Sequence, residues 1–259
     1  MTEKNINAAL ADRIERVSRQ TLLPEIGEAG RDRIFGSVVT VIGAGGLGSP
    51  LVLYLAAAGV GEIRLIDLDT VSVSNLSRQV LHTTAEVGEP KVESAARTIA
   101  RMTPHTRIVP VDAEATQENL VRLLEGADLL IDASDNLATR ITASRASLAT
   151  KVPLLFGSAI RWTGQVGLFN PKKPGAPCFE CIFEEDEGAN DVKASRVGVA
   201  SAVTGIVGTI MANEAVKFLA GVSDGLEGHL LMVDALSMDF RTIRLARNPG
   251  CRSAALHGD

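Results

Sequence analysis

The stretch VVTVIGAGGLGSP, residues 38–50, constrains the fold more than any other part of the chain. It opens as an apolar run without the alternation of a half-exposed strand, so both faces of that strand must be covered, as in a parallel sheet. Gly43, Gly45, Gly46 and Gly48 follow, and an apolar stretch of helical length runs from Leu47 to Ala58. A buried strand that turns through glycines into a helix opens a βαβ unit. The glycines let backbone approach an anion closely, and the helix presents free N–H groups to it. By itself the turn implies only a nucleotide or dinucleotide site.

The pattern repeats downstream. EIRLID is a second strand ending at Asp67, and residues 89–103 read as a helix with Lys91 in its first turn. RIVPVDA reads as strand, ENLVRLLEG as helix, and DLLIDAS as a further buried strand running into Ser134-Asp135-Asn136. This β-α-β-α-β-α-β order predicts an α/β, Rossmann-like doubly wound sheet with right-handed crossovers. Beyond residue 151 the rhythm changes. VPLLFGSAI and TGQVGLFN lie close enough in sequence to pair antiparallel. A Pro/Gly/acid-rich segment follows, then a long apolar helix from residue 197, then GHLLMVDAL and FRTIRLARN. The expectation is a single domain, 1–259, whose parallel nucleotide-binding half (1–150) continues into an antiparallel half (151–259). Upstream, residues 8–18 have helical spacing, with Leu10, Ile14 and Val17 on one face.

Composition narrows the partners. A net charge of −5 argues against non-specific nucleic-acid binding, which needs a basic surface. The run 197–212 is shorter than the ~20 residues of a membrane span and carries Gly, Ser and Thr, so it reads as a buried helix. The N-terminus has no secretory apolar core. Three cysteines are too few and odd in number for a disulfide framework, which fits the cytoplasm.

Asp67, at the end of the second strand, suits the ribose of NAD or of ATP equally. The residues after it separate the two. Asp69, the run Ser74-Asn75-Leu76-Ser77-Arg78-Gln79, and Lys91 gather two cations and several amide or hydroxyl groups near the glycine turn. A triphosphate needs such charge in the transition state and a dinucleotide does not. Asp135, at a strand C-terminus beside the phosphates, can hold Mg²⁺ or cap the next helix; Ser134 or Asn136 can cap instead. Asp69 either orders the loop or helps with the metal.

RQTLLPEIG, GAGGLGSP, DLDTVSVSNLSRQ, GEPKVESA, DASDN, PCFEC and NPGC occur in this order across residues 16–251. Together they resemble the ThiF/MoeB/HesA family, bacterial relatives of the ubiquitin-activating enzymes. The nearest likeness is to molybdopterin-synthase and thiamine-pathway sulfur-carrier adenylyltransferases. The resemblance implies an ATP-dependent adenylation. The C-terminal glycine carboxylate of a small ubiquitin-like sulfur carrier ending in Gly-Gly attacks the α-phosphate, pyrophosphate leaves, and an acyl-adenylate awaits sulfur from a separate donor. It implies that Asp67 holds the ribose, that Asn75, Arg78 and Lys91 hold phosphates, and that Asp135 holds Mg²⁺. Arg19 matches an arginine that family homodimers insert into the neighbouring subunit's ATP site. Carriers of the family dock on the antiparallel half, near the acidic run 184–187. The same chemistry on a peptide or small-molecule carboxylate is the alternative, and the pathway stays open among molybdopterin, thiamine, cysteine and specialised thioacid routes.

Two features depart from the family pattern. Its two CxxC pairs make a zinc site, but here Cys178 and Cys181 are followed by C-R-S-A, with Cys251 present and Ala254 where the fourth thiolate belongs. His257, six residues after Cys251, can supply a fourth ligand. Zinc on three cysteines and His257 or another ligand, loss of the metal, and a lone redox CxxC all stay open. The loop cysteine that many relatives use for a covalent step is also missing. Its position falls near Ala194, and no cysteine lies between 182 and 250, so the chain is expected to stop at the adenylate. The sequence closes at Asp259, with no fused rhodanese-type domain expected.

Overall fold

The computed structural model describes residues 3–183, 197–222 and 225–257; the acidic run 184–187 and the position near Ala194 lie outside them. Three helices precede the sheet: α1 Glu3–Arg16, α2 Ser18–Thr21 and α3 Gly27–Gly36. The parallel half runs β1 Val38–Ile42, α4 Gly48–Ala57, β2 Glu62–Ile66, α5 Lys91–Met102, β3 Arg107–Val111, α6 Gln117–Leu123, β4 Leu129–Asp132, α7 Leu137–Thr150 and β5 Leu154–Ile160. The antiparallel half adds β6 Thr163–Phe169, α8 Ser201–Ala220, β7 His229–Asp234 and β8 Asp239–Arg244. Among the described residues eight strands form one sheet in the order β3-β2-β1-β4-β5-β6-β7-β8. Pairing is parallel from β3 through β5 and antiparallel from β5 to β8, as the change of rhythm near residue 151 predicts.

The continuous apolar strands bury both faces. Val39, Val41, Leu65 and Ile131 face α4, α5 and α8, while Ile42, Ile66, Leu130 and Leu154 face the side covered by α6 and α7. Successive side chains of a strand point to opposite faces, so neither layer tolerates a polar run. The strand order reverses at β1, which pairs with β2 on one side and β4 on the other. The crevice beyond the C-terminal ends of β1 and β4 is where ligands bind in such sheets.

α8 is long and apolar enough by length and composition to cross a membrane, yet half of it is buried within the fold. Val203, Val207, Met211, Ala215 and Leu219 join the core cluster, and the four larger side chains each contribute on the order of 1.5–3 kcal/mol. The helix also backs the glycine turn closely, because a Cβ at Gly46 would lie 3.1 Å from the Thr204 methyl. The N-terminal stripe behaves differently. Val17 is buried but Leu10 is half exposed. α1 is held instead by Arg13, whose guanidinium donates to the carbonyls of Phe35 (3.0 Å) and Gly59 (2.8 Å) and lies over the Phe35 ring.

Candidate active site

The crevice at the switch point is a cleft of about 690 Å³ lined by the glycine turn, the loop after β2, the start of α7 and the β5–β6 end of the sheet. Gly43 begins the turn with φ +96°, a left-handed conformation that favours glycine. Gly48 is needed for a different reason: a Cβ there would sit 1.9 Å from the Gly43 carbonyl oxygen. The N–H groups of Gly45, Gly46 and Leu47 carry no hydrogen bond among the described residues, and all three line the cleft. Such a row of free donors at a helix start binds anions.

Asp67 follows β2. One carboxylate oxygen accepts from the Ala44 N–H (2.7 Å) and the other from the Asp69 N–H (2.8 Å), leaving further lone pairs on each. Asp69 pairs with Lys91 (2.7 Å) and accepts the Lys91 N–H at its carbonyl (2.9 Å), so it orders the loop around a buried lysine. Arg78 lines the cleft and donates to neutral acceptors, the Ser74 carbonyl (3.2 Å) and Asn75 Oδ1 (3.3 Å). Asn75 and Gln79 line it too, whereas Ser74, Leu76 and Ser77 do not. The tight turn points only some of its side chains inward, which a contiguous reading of 74–79 overstates. Asn136 caps α7, accepting from the Thr139 N–H (2.9 Å). Asp135 is thereby released from capping and stands exposed at the cleft with no hydrogen bond or ion pair among the described residues.

Three residues escaped the sequence reading. Arg140 lines the cleft, donates to the Ser134 carbonyl (3.1 Å) and lies over the Phe156 ring. Its signal was a cation near a helix N-terminus, where the helix dipole disfavours it. Asp132, behind the cleft, is wholly buried; burial pushes its carboxyl above the usual carboxylate range, and Arg140 pulls it back. His82 is buried against the glycine turn. Gln79 Oε1, Asp132 Oδ2, Ser134 Oγ and Arg140 Nε are buried without partners among the described residues. Unsatisfied buried groups gathered at one place mark a site that ligand or water completes.

Arg19 is not brought to this cleft. It sits exposed on α2, beside an apolar groove of about 400 Å³ that Val17, Tyr54, Ala57, Ala212 and Val216 help to line.

A second constellation stands apart from the cleft. Cys178 and Cys181 flank a short 3-10 turn, and Cys251 and His257 approach them from the C-terminal segment. The distances are 3.6 Å between the Cys178 and Cys181 sulfurs, 3.7 Å from Cys181 Sγ to His257 Nε2 and 3.6 Å from Cys251 Sγ to the same nitrogen. Tetrahedral zinc with Zn–S of about 2.3 Å and Zn–N of about 2.0 Å requires separations of roughly 3.8 Å and 3.5 Å. All four ligand atoms lie within 4.8 Å of one another and all four residues are buried. The Cys181 thiol is brought down to about 4, chiefly by the hydrogen bond from the Cys178 thiol. Two anchors set His257: Lys151 donates to its carbonyl (3.1 Å), and Ser253 donates to the buried Glu180, which also receives Arg145. The fit is that of three thiolates and one imidazole.

Against known proteins, the family model described as the ThiF family matches residues 17–253. The chain is 40% identical over 244 residues to the sulfur carrier protein adenylyltransferase of Thermus thermophilus, covering 93% of this chain and 90% of that protein. It is 42% identical over 236 residues to the molybdopterin-synthase adenylyltransferase of Escherichia coli, covering 91% and 94%. Among solved structures, PaaA shares the fold with a TM-score of 0.77 at 23% identity, over 92% of this chain and 75% of that one. MccB of E. coli, solved with ATP, gives 0.75 at 22% identity, over 88% and 68%.

Proposed function

The chain belongs to the ThiF family, and from that premise we propose that it is an ATP-dependent adenylyltransferase acting on the C-terminal glycine carboxylate of a small ubiquitin-like sulfur carrier ending in Gly-Gly. One observation carries the reading. Free backbone donors, Asp67, Arg78, Lys91 and an uncommitted Asp135 meet in a single cleft at the switch point. That is more charge than a dinucleotide uses, and it suits a triphosphate.

The chemistry follows from those groups. The remaining lone pairs of Asp67 accept ribose hydroxyls. The N–H groups of Gly45, Gly46 and Leu47 face phosphate oxygens. An oxygen of the carrier's terminal carboxylate attacks the α-phosphorus, the bond to the bridging oxygen breaks, and pyrophosphate leaves with the electron pair. Arg78 and Lys91 stabilise the charge that gathers on it. Mg²⁺, when bound, would neutralise phosphate charge, and Asp135 would hold it. The product is the acyl-adenylate. All three cysteines belong to the thiol–imidazole cluster, so the chain's own chemistry stops there and a separate donor supplies sulfur.

The chain acts as one adenylation unit in the cytoplasm, residues 1–150 serving the nucleotide and 151–259 the carrier. Exposed Trp162, Leu236 and Met238 sit in the β5–β6 and β7–β8 turns at one end of the antiparallel half and suit the carrier. Its working form is a homodimer in which Arg19, remote from its own cleft, reaches the partner's. The reading is tested by ATP–pyrophosphate exchange with Mg²⁺ and a panel of Gly-Gly-ended carriers. Exchange should depend on one carrier and vanish when its last glycine is removed. ATP binding with no carrier-dependent exchange would sink it in favour of another carboxylate substrate.

In the second constellation Cys178, Cys181, Cys251 and His257 would hold structural Zn²⁺. Protein produced in zinc-supplemented medium should carry about one zinc per chain by elemental analysis, since this is a closed four-ligand set. His257→Ala should reduce that content to below half and lower the Tm. Metal-free wild-type protein, or full zinc retention in the variant, would refute the assignment.

A further inference from the structure

We propose that His82 is a positioning residue of the adenylation cleft, a buried brace that fixes the three triphosphate-holding segments relative to one another. His82 is 6% exposed and touches all three. Its Nε2 lies 2.9 Å from the Ala44 carbonyl oxygen in the glycine turn. Its Nδ1 lies 2.8 Å from Ser94 Oγ on α5, one turn beyond Lys91. Its own N–H donates to the Gln79 carbonyl (3.1 Å), tying it to the turn that carries Asn75 and Arg78.

The chemistry fixes the tautomer. A carbonyl only accepts, so Nε2 carries the proton, and in the neutral ring Nδ1 then accepts from the Ser94 hydroxyl. Burial holds the ring below the usual histidine range, in keeping with that neutral form. Ala44 is thereby held twice: its N–H by Asp67 and its carbonyl by His82. With both peptide planes pinned, the free N–H groups of Gly45, Gly46 and Leu47 are presented to the cleft before ligand arrives. Loss of the ring would leave the buried Ala44 carbonyl with only the long hydrogen bond from the Ser49 hydroxyl (3.5 Å) and loosen the turn, and displacements near 1 Å are costly at a phosphate site.

This inference rests on the cleft binding ATP, and the experiment separates the two. ATP affinity without carrier is measured by calorimetry, and KM for ATP and for carrier by pyrophosphate exchange, for wild type, His82→Phe and His82→Gln. His82→Phe should raise the ATP Kd and KM roughly tenfold, about 1.4 kcal/mol, and leave the carrier KM within twofold. His82→Gln, whose amide donates to Ala44 again, should recover most of the loss. Wild-type ATP affinity in His82→Phe overturns the proposal. So does a glutamine variant no better than phenylalanine, or a parallel rise of both KM values with a fall in Tm, which marks a general packing role. A wild-type protein that binds no ATP overturns the nucleotide reading and this one with it.

Discussion

Arg78→Ala is expected to lower carrier-dependent ATP–pyrophosphate exchange by about 10²–10³-fold, the scale of removing one preorganised charge-stabilising donor. Arg78 and Lys91 both line the cleft, and their surroundings decide which matters more. Lys91 is paired with Asp69 at 2.7 Å, so part of its charge is already answered. Among the described residues Arg78 meets only neutral acceptors, the Ser74 carbonyl and Asn75 Oδ1, and its charge is available to the leaving pyrophosphate. The ATP Kd should change by less than tenfold, because the interaction strengthens as the bond breaks. The same variant tests the dimer. Arg19→Ala subunits have an intact cleft but supply no arginine, and Arg78→Ala subunits supply Arg19 but have a damaged cleft. Random exchange between them rebuilds one sound site in half of the dimers, about a quarter of wild-type activity. No recovery, with subunit exchange demonstrated, would end the in-trans role of Arg19. Near-normal exchange in Arg78→Ala would remove Arg78 from the site.

Gly48→Ala should abolish measurable ATP binding and lower the Tm by about 5–10 °C, the scale expected when an added methyl overpacks a rigid site. Its Cβ would meet the Gly43 carbonyl oxygen at 1.9 Å and the carbonyl carbon at 2.8 Å, both backbone atoms. That carbonyl cannot swing aside cheaply. It shares its peptide plane with the Ala44 N–H, which donates to Asp67 (2.7 Å), and Gly43 already lies close against Ala133. Gly45→Ala is the control within the same turn. Its nearest neighbour would be the Gln79 side-chain nitrogen at 3.6 Å, an ordinary contact, so ATP affinity should fall by less than tenfold. Equal effects of the two substitutions would mean that the turn is not set by the Gly43–Gly48 approach.

Much of the cleft was legible because its residues follow their strands immediately. Asp67 and Asp135 lie at or just beyond strand ends, and Lys91 opens a helix that Pro90 announces. The reading was coarser where a turn decides direction. Ser74, Leu76 and Ser77 share a run with Asn75, Arg78 and Gln79 but not the cleft, since a 3-10 turn sends neighbouring side chains to different sides. Arg140 and Asp132 were passed over because their surroundings come from the fold, not from neighbouring residues. The choice between Asp135 and Asn136 as helix cap needed the Asn136–Thr139 hydrogen bond.

The order of elements, the change from parallel to antiparallel pairing near residue 151, and the glycine turn with its charged neighbours are all readable along the chain. These are local properties, set by hydrophobic period and turn chemistry over a few residues. Folding alone sets Arg19 away from its own cleft, joins three segments at His82, and brings His257 within 3.7 Å of Cys181 across 76 residues of chain. Those contacts depend on where the core packing brings distant segments together, and no local pattern records that.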